Sequence, residues 1–570
     1  MSTAYQPPLG EMRFVLEAVA GLPATTRLPG LEHASPEIVD QVLSAAGRLA
    51  SDVLAPLNPL GDRIGAVLEN GAVRTPPGFR DAYRQFAEGG WNGLVFPGQW
   101  GGQDLPWTLG AAVAEMWNAA NMTFQICPLL TQAVIDALLH HGTPAQQALY
   151  LERLVAGRWT GAMALTEPQA GTDLGAIRTR AMPDGEAYRL VGQKIYISYA
   201  DHDLAENIVH LVLARLPDAP PGSRGLSLFI VPKLLPDAHG RPGWRNDMRV
   251  LRLEHKLGLH ASPTCVMAYG EDGGATAFLL GEPHGGLHCM FTMVNKARLA
   301  VGHEGLGLAE RAYQQALAYA RERLQGSVAG RPVPIIAYPD VRRMLLTMRA
   351  QIAAMRGLAY WTASFVDRAA RAADAAERAA AAGRVALLTP IVKAWCTERA
   401  QEVAALAVQV HGGMGFIEET GVAQHYREAR ILSIYEGANG IQALDLVARK
   451  LVQEDGRLPW QLLDELRAEL PRLPEQQALE RALAALEDAT RTVQAATADD
   501  RAAASTPYLH LTGHVLGAFL LARGVASPAA PPDWPGLCRF YLHHLLPPAL
   551  ALGEVIAAGA RHLDPAALAP

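Results

Sequence analysis

Hydrophobic periodicity changes twice along this chain of 570 residues. Up to about residue 160, apolar residues recur three and four positions apart, as in PEIVDQVLSAAGRLASDVLAPL, which is the period of an amphipathic helix. From there to about residue 285, runs such as GLSLFIVPK are rich in β-branched and aromatic residues and alternate with turn formers such as MPDGEA. Long helical patterns then return. We therefore expect a multidomain α+β protein with a β domain between helical ones.

The chain is also too long for a single core, because hydrophobic cores stop growing at about 250 to 300 residues. Helical segments after residue 290 are long enough to predict an extended antiparallel bundle. The last region is rich in alanine and leucine and contains no lysine. We predict four domains: an N-terminal helical domain (1–160), a middle β domain (161–285), a four-helix bundle (286–453) and an appended helical domain (454–570).

Charge excludes one broad class of function. The chain carries 50 basic and 56 acidic residues, a formal net charge of −6, which gives no long-range attraction for nucleic acid or an anionic membrane. Residues 455–570 hold nine arginines, no lysine and 13 acidic residues, so a phosphate-binding surface is not expected there. We recognise no signal peptide and no apolar stretch of about 18 uncharged residues. A cytoplasmic protein without a membrane span is expected.

The cysteines are scattered, odd in number and without CxxC spacing. This pattern predicts buried reduced thiols rather than a disulfide framework or a structural zinc site. They are Cys127, Cys265, Cys289, Cys396 and Cys538.

Two adjacent segments near the start of the β domain could line a flat ligand. MALTEPQAGTDLG (163–175) combines small residues, a turn and two hydroxyls, Thr166 and Thr172. GQKIYIS (192–198) places Tyr196 and Ser198 two apart and so on one side of a strand. From the residues alone, the first segment is equally well explained as an ordinary loop between domains, and the second is more often a core strand than a cofactor wall.

Three further motifs have a structural alternative. QVHGGMGF (409–416) predicts a helix C-cap or a backbone cradle for a pyrophosphate. GHEGLGLAER is expected to open a helix without a preceding strand, so it is no dinucleotide fingerprint. His510 and His514 lie one helical turn apart but lack the glutamate of a zinc-protease motif, so no metal site is predicted.

Two cations and one carboxylate stand out. Lys296 and Arg298 in VNKARLAVG are predicted at the start of a helix, where they oppose the helix dipole and favour an anionic partner. Glu436 in IYEGANGIQ (434–442) falls in a break between two helical patterns. It could be a surface charge or a catalytic base.

In order and spacing, LTEPQAGTD, GQKIYIS, EHKLGLHASPT, NKARLAVG, QVHGGMGF and IYEGANGIQ resemble the acyl-CoA dehydrogenase family. The resemblance covers about residues 10 to 450 and implies that family's fold. The N-terminal YQPPLGEMRFVL, the TEPQAGTD form and the extra C-terminal helical domain resemble the family's longer branch.

The resemblance implies a reaction and assigns a role to Glu436. This residue matches the glutamate that removes the α-proton of an acyl-CoA thioester, while the N5 atom of FAD takes a hydride from the β-carbon. The product is a trans-2-enoyl-CoA, and the electrons pass to an electron-transferring flavoprotein. Desolvation can raise a glutamate pKa to roughly 6 to 7 and so make it a better base. Gly437 leaves room for the thioester, and Asn439 with Gln442 is expected to cap the next helix.

Further site residues follow from the same resemblance. The expected FAD-binding residues are Met163, Leu165, Thr166, Gly171, Thr172, Tyr196, Ile197, Ser198, Arg323, Gln409, Val410, His411, Gly412, Gly413, Ala438 and Asn439. The expected substrate-binding residues are Thr172, Asn295, Arg298 and Gly437. Arg323 and residues 409–413 match groups that reach the FAD of a neighbouring subunit, which implies a homodimer.

Some positions depart from the family pattern, and some alternatives stay open. Ala438 replaces a threonine, Asn295 an aspartate and Pro339 a glutamine of some relatives, each removing or changing one polar contact. An acyl-CoA oxidase would share the base and the flavin, and a nucleic-acid-associated or scaffold member would share the fold. Phe124 and Gln125 are candidates for the acyl pocket wall, but the acyl group itself is not defined by the sequence.

Overall fold

The computed structural model describes residues 4–237 and 239–568. The α-helices, in chain order, are α1 (Leu9–Phe14), α2 (Leu22–Thr25), α3 (Pro36–Arg48), α4 (Ala55–Ile64), α5 (Phe79–Glu88), α6 (Trp107–His141), α7 (Pro144–Val155), α8 (Gly286–Glu322), α9 (Pro339–Arg371), α10 (Ala375–His411), α11 (Val422–Leu432), α12 (Asn439–Asp445), α13 (Arg457–Glu469), α14 (Gln476–Ala495), α15 (Ala498–Ala526), α16 (Trp534–Phe540), α17 (Leu546–Leu550) and α18 (Leu552–Ala558). The strands are β1 (Val67–Glu69), β2 (Ala72–Arg74), β3 (Trp159–Ala164), β4 (Arg180–Asp184), β5 (Ala187–Ser198), β6 (Asn207–Arg215), β7 (Leu226–Pro232), β8 (Leu234–Pro236), β9 (Pro242–Arg245), β10 (Met248–Leu253), β11 (Thr264–Tyr269), β12 (Ala275–Leu280), β13 (Leu324–Val328) and β14 (Arg331–Pro334).

The chain forms two compact units. One comprises Met1–Ala50, Pro106–Ala120 and Arg298–Pro570, and the other comprises Ser51–Leu105 and Asn121–Ala297. The four-domain boundaries drawn from the sequence stay a prediction, while the expected sequence of helical, β-rich and helical regions is confirmed.

The unit that contains residues 121–297 is built around an eight-stranded sheet. Its strands follow the order β10-β11-β5-β12-β7-β6-β3, and β4 pairs with β5 and β6. Strands β6 and β7 are buried along almost their whole length, which explains their continuous apolar runs. The core beneath them includes Ile208, Val212, Phe229 and Val231.

Two hairpins lie in regions predicted to be helical. Strands β1 and β2 pair around Asn70 and Gly71, which both have positive φ, at 50° and 74°. An Asn-Gly pair of this conformation is the turn that matches the twist of two antiparallel strands. Strands β13 and β14 form a second hairpin after α8 around Ala329 and Gly330. Both were missed because their strands are only three to five residues long.

The other unit is helical, and its C-terminal helices pack against the long helices before them. Helix α15 contacts α9, α10 and α12. At Gly513 an added Cβ would lie 2.3 Å from a ring carbon of Trp395, and at Gly517 it would lie 2.7 Å from the hydroxyl of Tyr541. Glycine at these positions therefore lets the helices approach closely.

All five cysteines are buried and free, as expected. The expectation that no long apolar stretch occurs is wrong. Within the described residues, α6, the segment Ala375–Phe416 and α15 are long and apolar enough to cross a membrane by length and composition. However, 89%, 61% and 78% of their apolar windows are buried inside the protein. Their hydrophobic surface is used for internal packing.

Candidate active site

Glu436 lies in a short loop between α11 and α12, as the sequence predicted. Its backbone is left-handed, with φ of 54°, and Gly437 follows with φ of 87°. A left-handed non-glycine residue is strained and persists only where its surroundings hold it. An added Cβ at Gly437 would lie 2.6 Å from Nε2 of Gln442, so the turn requires glycine there.

Hydrogen bonds hold both sides of this loop. The Asn439 N–H donates to the Ser433 carbonyl at 3.0 Å. Nε of Arg298 donates to the Glu436 carbonyl at 3.4 Å, and Nε2 of Gln442 donates to the Gly437 carbonyl at 3.3 Å. The loop geometry therefore depends on α8 and α12 as well as on its own sequence.

The expected capping pair does not form. The N-cap of α12 is Ala438, and no side chain caps it. Asn439 instead accepts a hydrogen bond from Nζ of Lys393 at 2.8 Å and donates to Glu398 at 2.8 Å. The Asn439 side-chain amide therefore bonds residues of α10 and not the start of α12. These partners come within reach only when the chain is folded.

The electrostatics favour Glu436 as a base. Its side chain is half-buried, and burial raises its pKa, although Arg298 and Lys393 act to lower it. Burial also lowers the pKa of Lys393 to about 8, against the attraction of nearby carboxylates. A carboxylate with a raised pKa, kept ionisable by two cations, is suited to take a proton near neutral pH.

The predicted position of two cations is wrong. Helix α8 begins at Gly286, so Lys296 and Arg298 lie within it and not at its start. Lys296 forms an ion pair with Asp136, whereas Arg298 contacts the Glu436 loop. The boundary was misplaced because His284 and Gly285 before α8, and Gly286 at its first position, gave no recognised helix-start signal.

GHEGLGLAER also lies inside α8 and does not open it. An added Cβ at Gly302 would lie 2.5 Å from Val392, and one at Gly307 would lie 2.6 Å from the Glu115 carbonyl. These glycines let α8 pack closely against other helices, which agrees with the rejection of a dinucleotide fingerprint.

In the β-sheet unit, hydrogen bonds connect the loop after β3 to strand β5. The Leu165 carbonyl of this loop accepts from Nζ of Lys194 at 2.9 Å, and its Thr166 carbonyl accepts from the Ile195 N–H at 2.9 Å. Lys194 also pairs with Glu167 at 2.9 Å, and both side chains are almost fully buried. A buried ion pair therefore fixes the segment predicted to line the flavin.

Tyr196 occupies a bulge near the end of β5. Ile197 pairs with Cys265 and Lys194 with Met267, so β5 has one extra residue at this point. Tyr196 has φ of 60° and is 62% exposed, while Ile197 is buried. Met163 is buried in β3, and Thr172 is exposed in the loop that follows. An added Cβ at Gly171 would meet nothing within 4 Å.

The glycine pair after α10 is a helix C-cap, as one of the two readings predicted. Helix α10 ends at His411, and Gly412 has φ of 60°. An added Cβ at Gly412 or Gly413 would meet nothing within 4 Å. The His411 ring lies 4.3 Å from the ring of Tyr319, and its Nδ1 contacts the Ala407 carbonyl at 2.8 Å. These two contacts hold the His411 side chain within the helical unit.

Several other predicted residues can be placed. Arg323 follows α8 and is exposed, as is Asn295 in the other unit. Val410 is buried in α10, Gln409 is exposed there, and Ser198 is half-buried at the end of β5.

The two candidates for the acyl pocket wall are buried in α6. Phe124 packs against Phe79, Tyr83 and Phe86 with ring centroids 5.8 to 6.3 Å apart. Gln125 is 2% exposed. Phe124 therefore contributes to an aromatic core, and the role of both residues in the pocket stays a prediction.

Sequence reasoning missed three residues of the Glu436 surroundings. Lys393 is fully buried, Glu304 is 1% exposed, and the hydroxyl of Tyr435 donates to Glu304. The available signal was a single charged residue inside an apolar helical pattern, since charges are rarely buried without a partner.

These features define a class of protein: a helical unit that holds a half-buried glutamate in a strained turn, and a β unit with an aromatic bulge beside a polar loop. Family models agree: acyl-CoA dehydrogenase N-terminal, middle and C-terminal domains match residues 62–158, 162–271 and 284–452. An acetyl-CoA dehydrogenase C-terminal-like domain matches residues 462–564. The chain belongs to the acyl-CoA dehydrogenase family of FAD-dependent oxidoreductases.

The chain is also similar to individual proteins of this family. The chain is 50% identical over 458 residues to 3-methylmercaptopropionyl-CoA dehydrogenase of Ruegeria pomeroyi, covering 80% of this chain and 77% of that protein. It is 35% identical to a broad-specificity linear acyl-CoA dehydrogenase of Mycobacterium tuberculosis, covering 73% and 70%. The structure of an acyl-CoA dehydrogenase complexed with FAD from Bacillus anthracis shares the fold, with a TM-score of 0.74, 21% identity and coverage of 95% and 90%.

The predicted family and fold class are thereby confirmed, including the extra C-terminal domain. The roles of individual site residues stay predictions.

Proposed function

We propose that this protein binds FAD and oxidises an acyl-CoA thioester to the trans-2-enoyl-CoA, with Glu436 as the base. The observation that carries the proposal is the half-buried Glu436 carboxylate in a left-handed turn, with its pKa raised by burial. A fully exposed carboxylate would not be desolvated in this way.

Glu436 takes the α-proton of the substrate. Bound FAD supplies the acceptor for the hydride that leaves the β-carbon. Arg298 and Lys393 limit the rise in the pKa of Glu436, so that the carboxylate is ionised before it takes the proton. The backbone N–H of Glu436 is proposed to donate to the thioester carbonyl and to stabilise the developing enolate. Gly437 adds no side chain next to the carboxylate, and its missing Cβ faces Gln442.

The chain offers suitable groups for FAD. The exposed Tyr196 presents an aromatic ring, and Thr172 presents an exposed hydroxyl. Gly171, Gly412 and Gly413 have open space on the side of a missing Cβ. We assign the isoalloxazine ring to the segments around Thr166 and Tyr196. Arg323 and residues 409–413 are assigned to the FAD of a second subunit in a cytoplasmic homodimer.

The proposed substrate is supported by the name of one relative. The 50%-identical protein is named for 3-methylmercaptopropionyl-CoA, and we propose a short acyl-CoA, with this thioether first in the panel. An electron-transferring flavoprotein is the proposed acceptor.

The test is anaerobic reduction of the bound flavin. The purified protein is mixed with a panel of acyl-CoAs, beside Glu436→Gln, and the loss of oxidised-flavin absorbance is followed. Rapid bleaching in the parent, lost in the variant with its flavin still bound, is expected. Bound flavin that no acyl-CoA reduces would contradict the proposal. Oxygen consumption without an added acceptor would instead identify an acyl-CoA oxidase.

A further inference from the structure

Glu304 is a carboxylate buried on α8, and its partner is the residue that precedes Glu436. Only 1% of its surface is exposed. Its Oε2 accepts a hydrogen bond from the hydroxyl of Tyr435, 131 positions further along the chain. Burying a carboxyl group costs free energy unless the group is hydrogen-bonded, so the contact with Tyr435 stabilises Glu304 in its buried position.

We propose that Glu304 is a positioning residue for the catalytic loop: by holding the hydroxyl of Tyr435, it fixes the left-handed backbone at Glu436. The inference rests on the proposed role of Glu436 as the base. It assigns a function to a residue whose side chain is almost fully buried.

The distribution of contacts along the loop supports this role. Arg298, Gln442 and Lys393 hold the loop from Glu436 onward, through the Glu436 carbonyl, the Gly437 carbonyl and the Asn439 side chain. On the other side, Ile434 is 50% exposed. The N–H groups of Ile434 and Tyr435 donate to the Ile431 carbonyl at 2.8 and 3.1 Å, and the Tyr435 hydroxyl adds a side-chain contact from this segment to α8.

The surroundings of the Glu304–Tyr435 pair favour the uncharged form of Glu304 as the hydrogen-bond acceptor. Burial raises the pKa of Glu304 to about 8, the Tyr435 hydroxyl and Lys393 lower it, and Glu436 raises it. Glu436 itself faces Arg298 from α8 and Lys393 from α10. At neutral pH Glu304 is therefore mostly protonated, and it accepts the hydrogen bond without placing a second negative charge beside the base.

Four variants test the proposal. Glu304→Gln keeps a neutral acceptor of the same size, Glu304→Leu removes the acceptor, and Tyr435→Phe removes the donor. The matched control is Glu310→Gln, since Glu310 is also buried on α8 but bonds Arg356 and Gln314. The measurement is anaerobic flavin reduction by saturating acyl-CoA across pH, with flavin content and half-saturating acyl-CoA concentration determined for each.

Glu304→Gln and Glu310→Gln are expected to keep most of the parent's rate. Glu304→Leu and Tyr435→Phe should each lower the rate by about 10- to 100-fold, because a small misplacement of a reacting group is costly. Flavin content and half-saturating acyl-CoA concentration should stay unchanged. The acid limb of both slow variants should move to lower pH, because a displaced Glu436 is better hydrated. A double variant that combines Glu304→Leu with Tyr435→Phe should be no slower than either single variant, since both substitutions break the same hydrogen bond.

Parental rates in both Glu304→Leu and Tyr435→Phe would overturn the proposal. So would equal losses of rate and flavin in all four variants, which would indicate a purely structural role. If Glu304→Leu fails to fold, Tyr435→Phe still removes the same bond by deleting one oxygen. The parent protein and Glu436→Gln distinguish failure of the proposed function from failure of this inference. If no acyl-CoA reduces the flavin of the parent, the proposed function and this inference are overturned together. Loss of reduction in Glu436→Gln, with parental Tyr435→Phe, overturns only the inference.

Discussion

Replacing Glu167 by glutamine should destabilise the β-sheet unit and loosen the loop that we assign to the flavin. Glu167 is 4% exposed and Lys194 is fully buried. The Glu167 carboxylate accepts from Nζ of Lys194 at 2.9 Å, the Arg178 N–H at 2.7 Å and the Thr179 N–H at 3.0 Å. Glutamine keeps the shape but removes the charge, and a buried ammonium is left without its counter-ion.

The magnitude follows from the pKa values. Burial acts to raise the pKa of Glu167, but Lys194 and the donors of Thr179 and Arg178 outweigh it and lower the pKa from 4.5 to about 2. That difference corresponds to about 3 kcal/mol in favour of the folded, ionised state at neutral pH. Burial also lowers the pKa of Lys194 from 10.5 to about 8 despite the pairing. The pKa of Lys194 falls by as much as that of Glu167, so the cost of burying the ammonium offsets the gain of the carboxylate, and the pair as a whole contributes far less than either single deletion costs.

The assay is urea unfolding of the FAD-loaded protein, with circular dichroism and flavin release as probes. Glu167→Gln should lose about 3 kcal/mol at pH 7, whereas Glu186→Gln, at an exposed position of the same unit, should match the parent. Glu167→Gln combined with Lys194→Met should lose less than the sum of the single variants.

The pH dependence has a defined sign. Because the folded pKa of Glu167 is depressed, its stabilisation is complete above about pH 4.5 and is lost as pH falls towards 2. The gap between parent and Glu167→Gln should therefore narrow below about pH 4.5. Equal stability of Glu167→Gln and Glu186→Gln at pH 7, or strict additivity in the double variant, would refute the reasoning.

Two further predictions concern the helical unit. Lys393→Met removes a cation that lowers the pKa of Glu436. The acid limb of the pH–rate profile of flavin reduction should therefore move to higher pH, by about one unit. An unchanged acid limb would contradict this prediction. Gly513→Ala should lower the free energy of unfolding by about 1 to 3 kcal/mol, because its Cβ would lie 2.3 Å from a Trp395 ring carbon. The control Gly553→Ala, whose Cβ would meet nothing within 4 Å, should not destabilise the protein. Similar melting temperatures of the two variants would contradict the packing argument.

Features that depend on neighbours along the chain could be predicted. The break at Glu436 and the C-cap at Gly412 were predicted from glycine and the end of an apolar helical pattern. The β-rich region was predicted from its short apolar runs. The β1–β2 hairpin also had a local signal, Asn70-Gly71, which was overlooked within a helical region. The predicted start of α8 was wrong because Lys296, Arg298 and the glycines of GHEGLGLAER were assigned to the beginning of a helix, whereas they lie inside α8.

The sequence by itself therefore determined the family, the order of the secondary structure and the position of the candidate base, because these depend on local periodicity and motif order. Only the tertiary structure decided how that base is held and tuned. Lys393 meets Asn439 across 46 positions, and Glu304 meets Tyr435 across 131. The same applies to Asn439, which binds α10 instead of capping α12. Burial and partners of a polar side chain are set by which helices pack together, and this packing has no short-range signature in the sequence.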